Sequence, residues 1–257
     1  MASVLALTVA YDGSGFAGFA RQPNQTTVQG RLESALAVAL RRDVETVGAG
    51  RTDAGVHALG QVVSFEAEES EVECSVLLRS LNALVGEGIV VTGIHRMPTD
   101  FSARHSALAR EYRYRIATGA VPPLFVAPYS WWVREPLDLD AMREAAAMLI
   151  GEHDFTSFCV AASAVGKPTS RRLEEIVLEA ETALGEDLLV IRVTGNAFLH
   201  SMVRVIAGSL VEVGAGRRPP SWMGEALAAR DRAAAGPTAP ASGLTLWRVV
   251  YPAECGL

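Results

Sequence analysis

Apolar positions repeat along this chain with two different periods. A two-residue period runs through LALTVAYDG (5–13), QVVSFEA (61–67), GIVVTGIHRMP (88–98) and LTLWRVVYP (244–252), each bounded by glycine, proline or polar residues. Such alternation predicts β-strands with one face on a core. SALAREYRYRIAT (106–118) alternates most clearly: Arg110, Tyr112, Tyr114 and Ile116 fall on one face, and Glu111, Arg113 and Arg115 on the other. RRLEEIVLEAE and EDLLVIRVTG read as two more strands, joined near Leu184-Gly185.

A helical period appears between them. Val28, Leu32, Leu36 and Leu40 predict a helix capped by Thr27 and running through Arg42, where Arg41 and Arg42 suit the negative end of its dipole. SVLLRSLNALV, residues 138–150 and residues 221–230 are further helices. Leu199, Met202, Val203, Ile206, Leu210 and Val213 form the strongest apolar stripe. Two segments read as loops: SGFAGFARQPNQTT, and VPPLFVAPYSWW with its three prolines. Strands and helices are mixed and several neighbours look antiparallel. The expected fold class is therefore α+β, with a mixed, mainly antiparallel sheet and helices on one face. Each half holds a similar inventory, so two related subdomains are expected, residues 1–106 and 107–257. RAAAGPTAPASG is a run of small residues and the one low-complexity stretch.

Composition narrows the function. The chain has 257 residues, 49% of them hydrophobic, enough for a sizeable core. No apolar run reaches the roughly 20 residues of a membrane span, and the N-terminus lacks the basic region of a signal peptide. A cytoplasmic protein without membrane contact is expected. Cys74, Cys159 and Cys255 are far apart, and the five histidines show no ligand spacing; neither a disulfide framework nor a metal is expected. Net charge is −6, which at first disfavours a polyanionic partner. Glu66, Glu68, Glu69, Glu71 and Glu73, however, look like one solvated acidic face. Arg96, Arg104, Arg110, Arg113 and Arg115 against Asp100 and Glu111 give a local basic stripe that suits nucleic acid.

The chemistry concentrates in GAGRTDAGVHALGQ (48–61). Gly48, Gly50, Gly55 and Gly60 surround one acid, Asp53, and one arginine, Arg51. Glycine allows tight turns and close approach. Taken alone, Asp53 reads more readily as an Asx-turn cap than as a catalytic carboxylate. Phosphate-loop patterns are absent, and no second carboxylate is evident for glycosidase chemistry.

YDGSGFAGFARQPNQTTVQG, GAGRTDAGVHALGQ, REYRY, HDFTSF, GNAFLHSMVR and RDRAAAGPTAPASGL occur together and in this order. Together they make the chain resemble the bacterial tRNA pseudouridine synthase A family, from about Leu5 to Tyr251. The resemblance implies the pseudouridine synthase fold, with the active-site cleft between the two subdomains. It makes Asp53 the catalytic residue, Tyr112 the contact to the target base and Arg51 the occupant of the space left by the flipped nucleotide. Arg204 becomes the partner of the catalytic carboxylate, and Leu244 a residue packing near the base. It also implies tRNA as substrate, at uridines 38, 39 and 40 of the anticodon stem-loop, and a homodimer spanning one tRNA. The chain departs from the family at Phe19-Ala20, where Trp-Gln is usual, so that loop is expected to meet RNA differently.

Pseudouridine formation breaks the N1–C1′ bond, rotates the base and joins C5 to C1′. It needs no redox or phosphate chemistry, so no cofactor is expected. A single ionised carboxylate suffices, as a nucleophile at C1′ or as a base at C2′. Flipping the nucleotide costs a few kcal/mol, recovered by stacking and pocket contacts. On this view the glycines around Asp53 make room for RNA. The competing readings are a non-catalytic RNA-binding protein, a synthase for another RNA position, and a hydrolase using Asp53 on a small substrate.

Overall fold

A computed structural model describes residues 2–68 and 73–257. In chain order the elements are β1 (Ala2–Tyr11), α1 (Val28–Leu40), β2 (Val47–Gly48), β3 (His57–Glu68), α2 (Cys74–Leu84), β4 (Ile89–Met97), β5 (Ala109–Thr118), β6 (Trp131–Val133), α3 (Leu139–Ala147), β7 (Gly151–Asp154), a four-residue α4 (Ala161–Ala164), β8 (Ser170–Ala183), β9 (Glu186–Gly195), α5 (Met202–Gly214), α6 (Trp222–Ala229) and β10 (Leu244–Val250). The fold is α+β: β1–β3, β1–β4, β2–β3, β7–β8 and β8–β9 pair antiparallel, and β5–β6 pairs parallel.

The chain forms two compact units, Met1–Arg110 with Leu246–Leu257, and Glu111–Thr245. The sequence division at 106/107 thus differs by four residues, and it left the C-terminal strand with the second unit. The strand's own contacts explain its return to the first: β10 neighbours β3, Leu108 N–H donates to Val250 O, and the Tyr251 hydroxyl donates to Ala103 O.

In the first unit the strand order is β4-β1-β3-β10, with β2 added to β3. Leu5, Leu7, Val9 and Tyr11 of β1 are all buried, the inward face that the alternation predicts. Thr27 caps α1 by accepting from Gly30 N–H. The helix stops at Leu40, short of the expected Arg42, because Arg41 takes a left-handed conformation (φ 56°) and reverses the chain. Arg42 then leaves the helix end and donates to Glu66 O. Of the expected acidic face, Glu66 and Glu73 are exposed; Glu69 and Glu71 lie outside the described residues.

In the second unit the order is β5-β9-β8-β7, with β6 parallel to β5. β8 and β9 form a long hairpin whose turn residues, Leu184 and Gly185, both have positive φ, as a two-residue turn requires. The prolines of VPPLFVAPYSWW predict a loop throughout, but Trp131–Val133 pairs with Ile116–Thr118. The segment before it is ordered by one carboxylate: Glu186 accepts the backbone N–H groups of Leu124, Phe125 and Val126 at 2.7–2.9 Å. Those bonds hold its carboxyl below the usual range. α3 starts after Asp138, whose side chain caps Asp140 and Ala141, and ends at Ala147 rather than 150.

α5 is the centre of this unit. The sequence stripe suggested one buried face, yet every residue of the helix except Arg204 and Glu212 is buried. Leu199, counted in the stripe, precedes the helix. A helix apolar all round is a core element rather than a surface one.

Candidate active site

Residues 49–56, between β2 and β3, carry the candidate carboxylate. Burial changes from residue to residue here: Arg51 is exposed, Thr52 buried, Asp53 half-buried and Ala54 exposed. The backbone is pinned at several points. Ala49 N–H donates to Val62 O, the Gln61 side chain donates to Gly50 O, and Phe19 N–H donates to Thr52 O at 3.1 Å. Val56 N–H closes a turn on Asp53 O, with Gly55 at φ 78°. Beneath the loop the Tyr11 hydroxyl meets Thr52 Oγ1 at 2.8 Å. Burial pushes the Tyr11 pKa up to about 12, although hydrogen bonds from Thr52 and Gln61 oppose the rise.

Two of the four glycines have a different use from the expected one. A Cβ on Gly48 would stand 2.4 Å from the Phe19 ring, and one on Gly60 would stand 2.6 Å from Trp247 O. These two accommodate the protein's own side chain and strand, not RNA. Gly18, outside the motif, has φ 104° and lies against Thr52 O. Phe19 corrects a second expectation. It is buried, stacks on Tyr11 with centroids 6.3 Å apart, and fills the space over Gly48. The departure from Trp therefore shapes the support of the Asp53 loop rather than an RNA-facing surface.

In the second unit Tyr112, on β5, is buried and meets the Phe198 ring edge-on at 5.0 Å. Arg204, on α5, is half-buried. Its Nε donates to Ala239 O at 2.8 Å, and its carbonyl accepts from Ala239 N–H at 3.2 Å. The small-residue run is thereby sewn to α5. Gly236 N–H donates to the Ser209 hydroxyl, and Gly208 lies so close to Pro237 O that a Cβ would stand 1.9 Å away. Tyr114 is fully buried and donates to Pro240 O. Burial raises its pKa, and the Arg204 charge opposes the rise. Leu244 follows directly, buried at the start of β10. Tyr114, Arg204 and the 236–243 segment thus form one cluster.

The basic stripe largely dissolves. Arg110 is buried and donates to Ala49 O, Arg104 O and Ala107 O. Arg113 pairs with Glu111 at 3.0 Å, and Arg115 pairs with Glu181 at 2.9 Å. Arg96 and Arg104 are exposed. Among the described residues, no cluster of three or more His, Cys, Asp or Glu side chains is arranged to hold a metal.

A profile of the tRNA pseudouridine synthases matches residues 7–104 and 145–252. The chain belongs to the tRNA pseudouridine synthase family. Curated relatives agree over nearly full length. The tRNA pseudouridine synthase A of Brevibacillus brevis is 45% identical over 247 residues, covering 96% of this chain and 99% of that one. Its counterpart in Rhizobium meliloti is 45% identical over 248 residues (95% and 98%), and that of Methylococcus capsulatus 44% over 253 (98% and 91%). The family places the chain among isomerases that make pseudouridine in tRNA. Arg51, Asp53, Arg204 and Leu244 fall inside the matched stretches, and Tyr112 falls in the interval between them.

Sequence reasoning missed Tyr11, Thr52, Gln61 and Gly18, which hold the loop. One signal was present: Tyr11 continues the inward face of Leu5, Leu7 and Val9, and a buried tyrosine needs a partner for its hydroxyl.

Proposed function

We propose that this protein converts uridine to pseudouridine at positions 38, 39 and 40 of the tRNA anticodon stem-loop, with Asp53 as the catalytic carboxylate. The observation that carries the reading is the loop 49–56. Within a stretch that matches the family, it presents a half-buried Asp53 on a backbone tied down on both sides. Such a group can be held at a fixed distance from C1′ or C2′ of a flipped nucleotide. The N1–C1′ bond breaks, C5 bonds to C1′, and the C5 proton is lost as N1 gains one, so atoms balance without a co-reactant.

The other roles follow from the same reading. Arg204 stabilises the ionised carboxylate and fixes its direction. Tyr112 offers its ring to the base, Leu244 packs beside it, and exposed Arg51 fills the gap in the stem. The enzyme acts as a homodimer on one tRNA, in the cytoplasm. No helix among the described residues is long and apolar enough to cross a membrane, which is compatible with that location.

The position assignment is tested with a panel of unmodified tRNA transcripts carrying single uridines at 38, 39 or 40, or elsewhere. Carbodiimide labelling and primer extension should give stops at these three positions alone. Stops confined to another site would make this a synthase for that site. Tight binding with no stop anywhere would make it an RNA-binding protein.

A further inference from the structure

We propose that Tyr11 is a positioning residue for the reaction, acting through Thr52 on the direction of the Asp53 carboxylate; this rests on the reading of Asp53 as the catalytic group. Tyr11 lies at the end of β1, buried, and its hydroxyl is 2.8 Å from Thr52 Oγ1. Gln61, fully buried on β3, donates to Gly50 O at 2.9 Å and opposes the rise that burial imposes on the Tyr11 pKa. A chain of two supports thus lies under the loop, Gln61 on Gly50 O and Tyr11 on the Thr52 hydroxyl. They grip the residues on either side of Arg51, one residue short of Asp53.

Each link in this chain is specific. Thr52 is held twice, at its side chain by Tyr11 and at its carbonyl by Phe19 N–H. With Thr52 buried between them, Arg51 is exposed and Asp53 half-buried. A threonine left without Tyr11 would retain a buried hydroxyl in need of a partner, and the easiest remedy is rotation of the loop. Gly18 stands against Thr52 O and against the backbone of Asp53 and Ala54, so one direction of rotation is already blocked. Phe19 stacks on the Tyr11 ring and covers Gly48, which keeps the ring itself in place when the hydroxyl is removed. Removal of the hydroxyl alone is therefore a clean perturbation.

The test compares single-turnover pseudouridine formation, tRNA affinity and thermal unfolding for Tyr11→Phe, Thr52→Val, Thr52→Ser and Asp53→Asn in the full-length protein. Tyr11→Phe should slow the chemical step roughly 10- to 100-fold, the scale on which small misplacement acts, with tRNA affinity within twofold of the original. Thr52→Val should match it, Thr52→Ser should recover most of what Thr52→Val loses, and the Tyr11→Phe/Thr52→Val pair should be no slower than either alone. A wild-type rate for Tyr11→Phe beside an inactive Asp53→Asn would overturn the positioning role and leave the function standing. A rate loss matched by loss of tRNA binding, or by additive effects in the double variant, would overturn it as well. An active Asp53→Asn would remove the reading beneath it, and the two failures are told apart by that one variant.

Discussion

At the scale of single residues, Asp53 and Tyr112 occupy different environments, and the difference sets what substitution does. Tyr112 is buried and packs edge-on against Phe198, so its ring has a structural duty besides any contact with the base. Tyr112→Phe keeps the ring and should retain most turnover. Tyr112→Leu should lose turnover and also lower stability by about 1–3 kcal/mol. Comparison of kcat with the urea midpoint checks this; Tyr112→Phe being as poor as Tyr112→Leu would assign the effect to the hydroxyl. The loop that carries Asp53 stood out because RTDAGVHA is a compact motif. The partners of its loop were not, since Tyr11 meets Thr52 and Gln61 meets Gly50 only after β1 and β3 have paired. Arg204 shows the same limit from the other side. Beside an apolar stripe a solvated arginine is the ordinary reading, and its tie to Ala239, 35 residues on, leaves no trace in local spacing.

At the scale of elements, periodicity predicted the seven longer strands and most helices, and missed the short β2, β6 and β7. β6 is three residues long and exists because β5 pairs with it; Glu186, some 60 residues away, orders the approach. α5 and the 236–243 segment are the firmest such dependence. The segment looks featureless in sequence because small residues are what permit its backbone to lie against a helix. Gly208→Ala places a methyl 1.9 Å from Pro237 O, where backbone and not a flexible side chain must move. It should destabilise by about 3 kcal/mol and weaken protection of the Gly236 and Ala239 amides, as read by hydrogen exchange. An unchanged midpoint and unchanged protection would mean that the helix and the segment separate without cost.

At the scale of the whole molecule, charge is where the sequence misled most. Five arginines within 96–115 look alike as a string. In the structure Arg110 is a buried tie between the Ala49 backbone and residues 104–107, and Arg113 and Arg115 answer carboxylates. Binding of tRNA by a protein of net charge −6 should still weaken steeply with salt, since phosphate contacts dominate affinity. Arg110→Ala should leave that slope unchanged while lowering stability by about 2 kcal/mol, because three carbonyls lose a charged donor. Arg104→Ala should flatten the slope by roughly 0.7. A flatter slope for Arg110→Ala at full stability would restore the original stripe.

The most direct test sets the protein, with a chelator and no added cofactor, against an unmodified tRNA transcript bearing uridines at 38 to 40. The same reaction is run in parallel with Asp53→Asn, and pseudouridine is mapped in both. Stops at those positions with the original protein, and none with Asp53→Asn at equal tRNA binding, are the predicted result. Pseudouridine formed at an undiminished rate by Asp53→Asn would contradict the assignment of the reaction to this carboxylate.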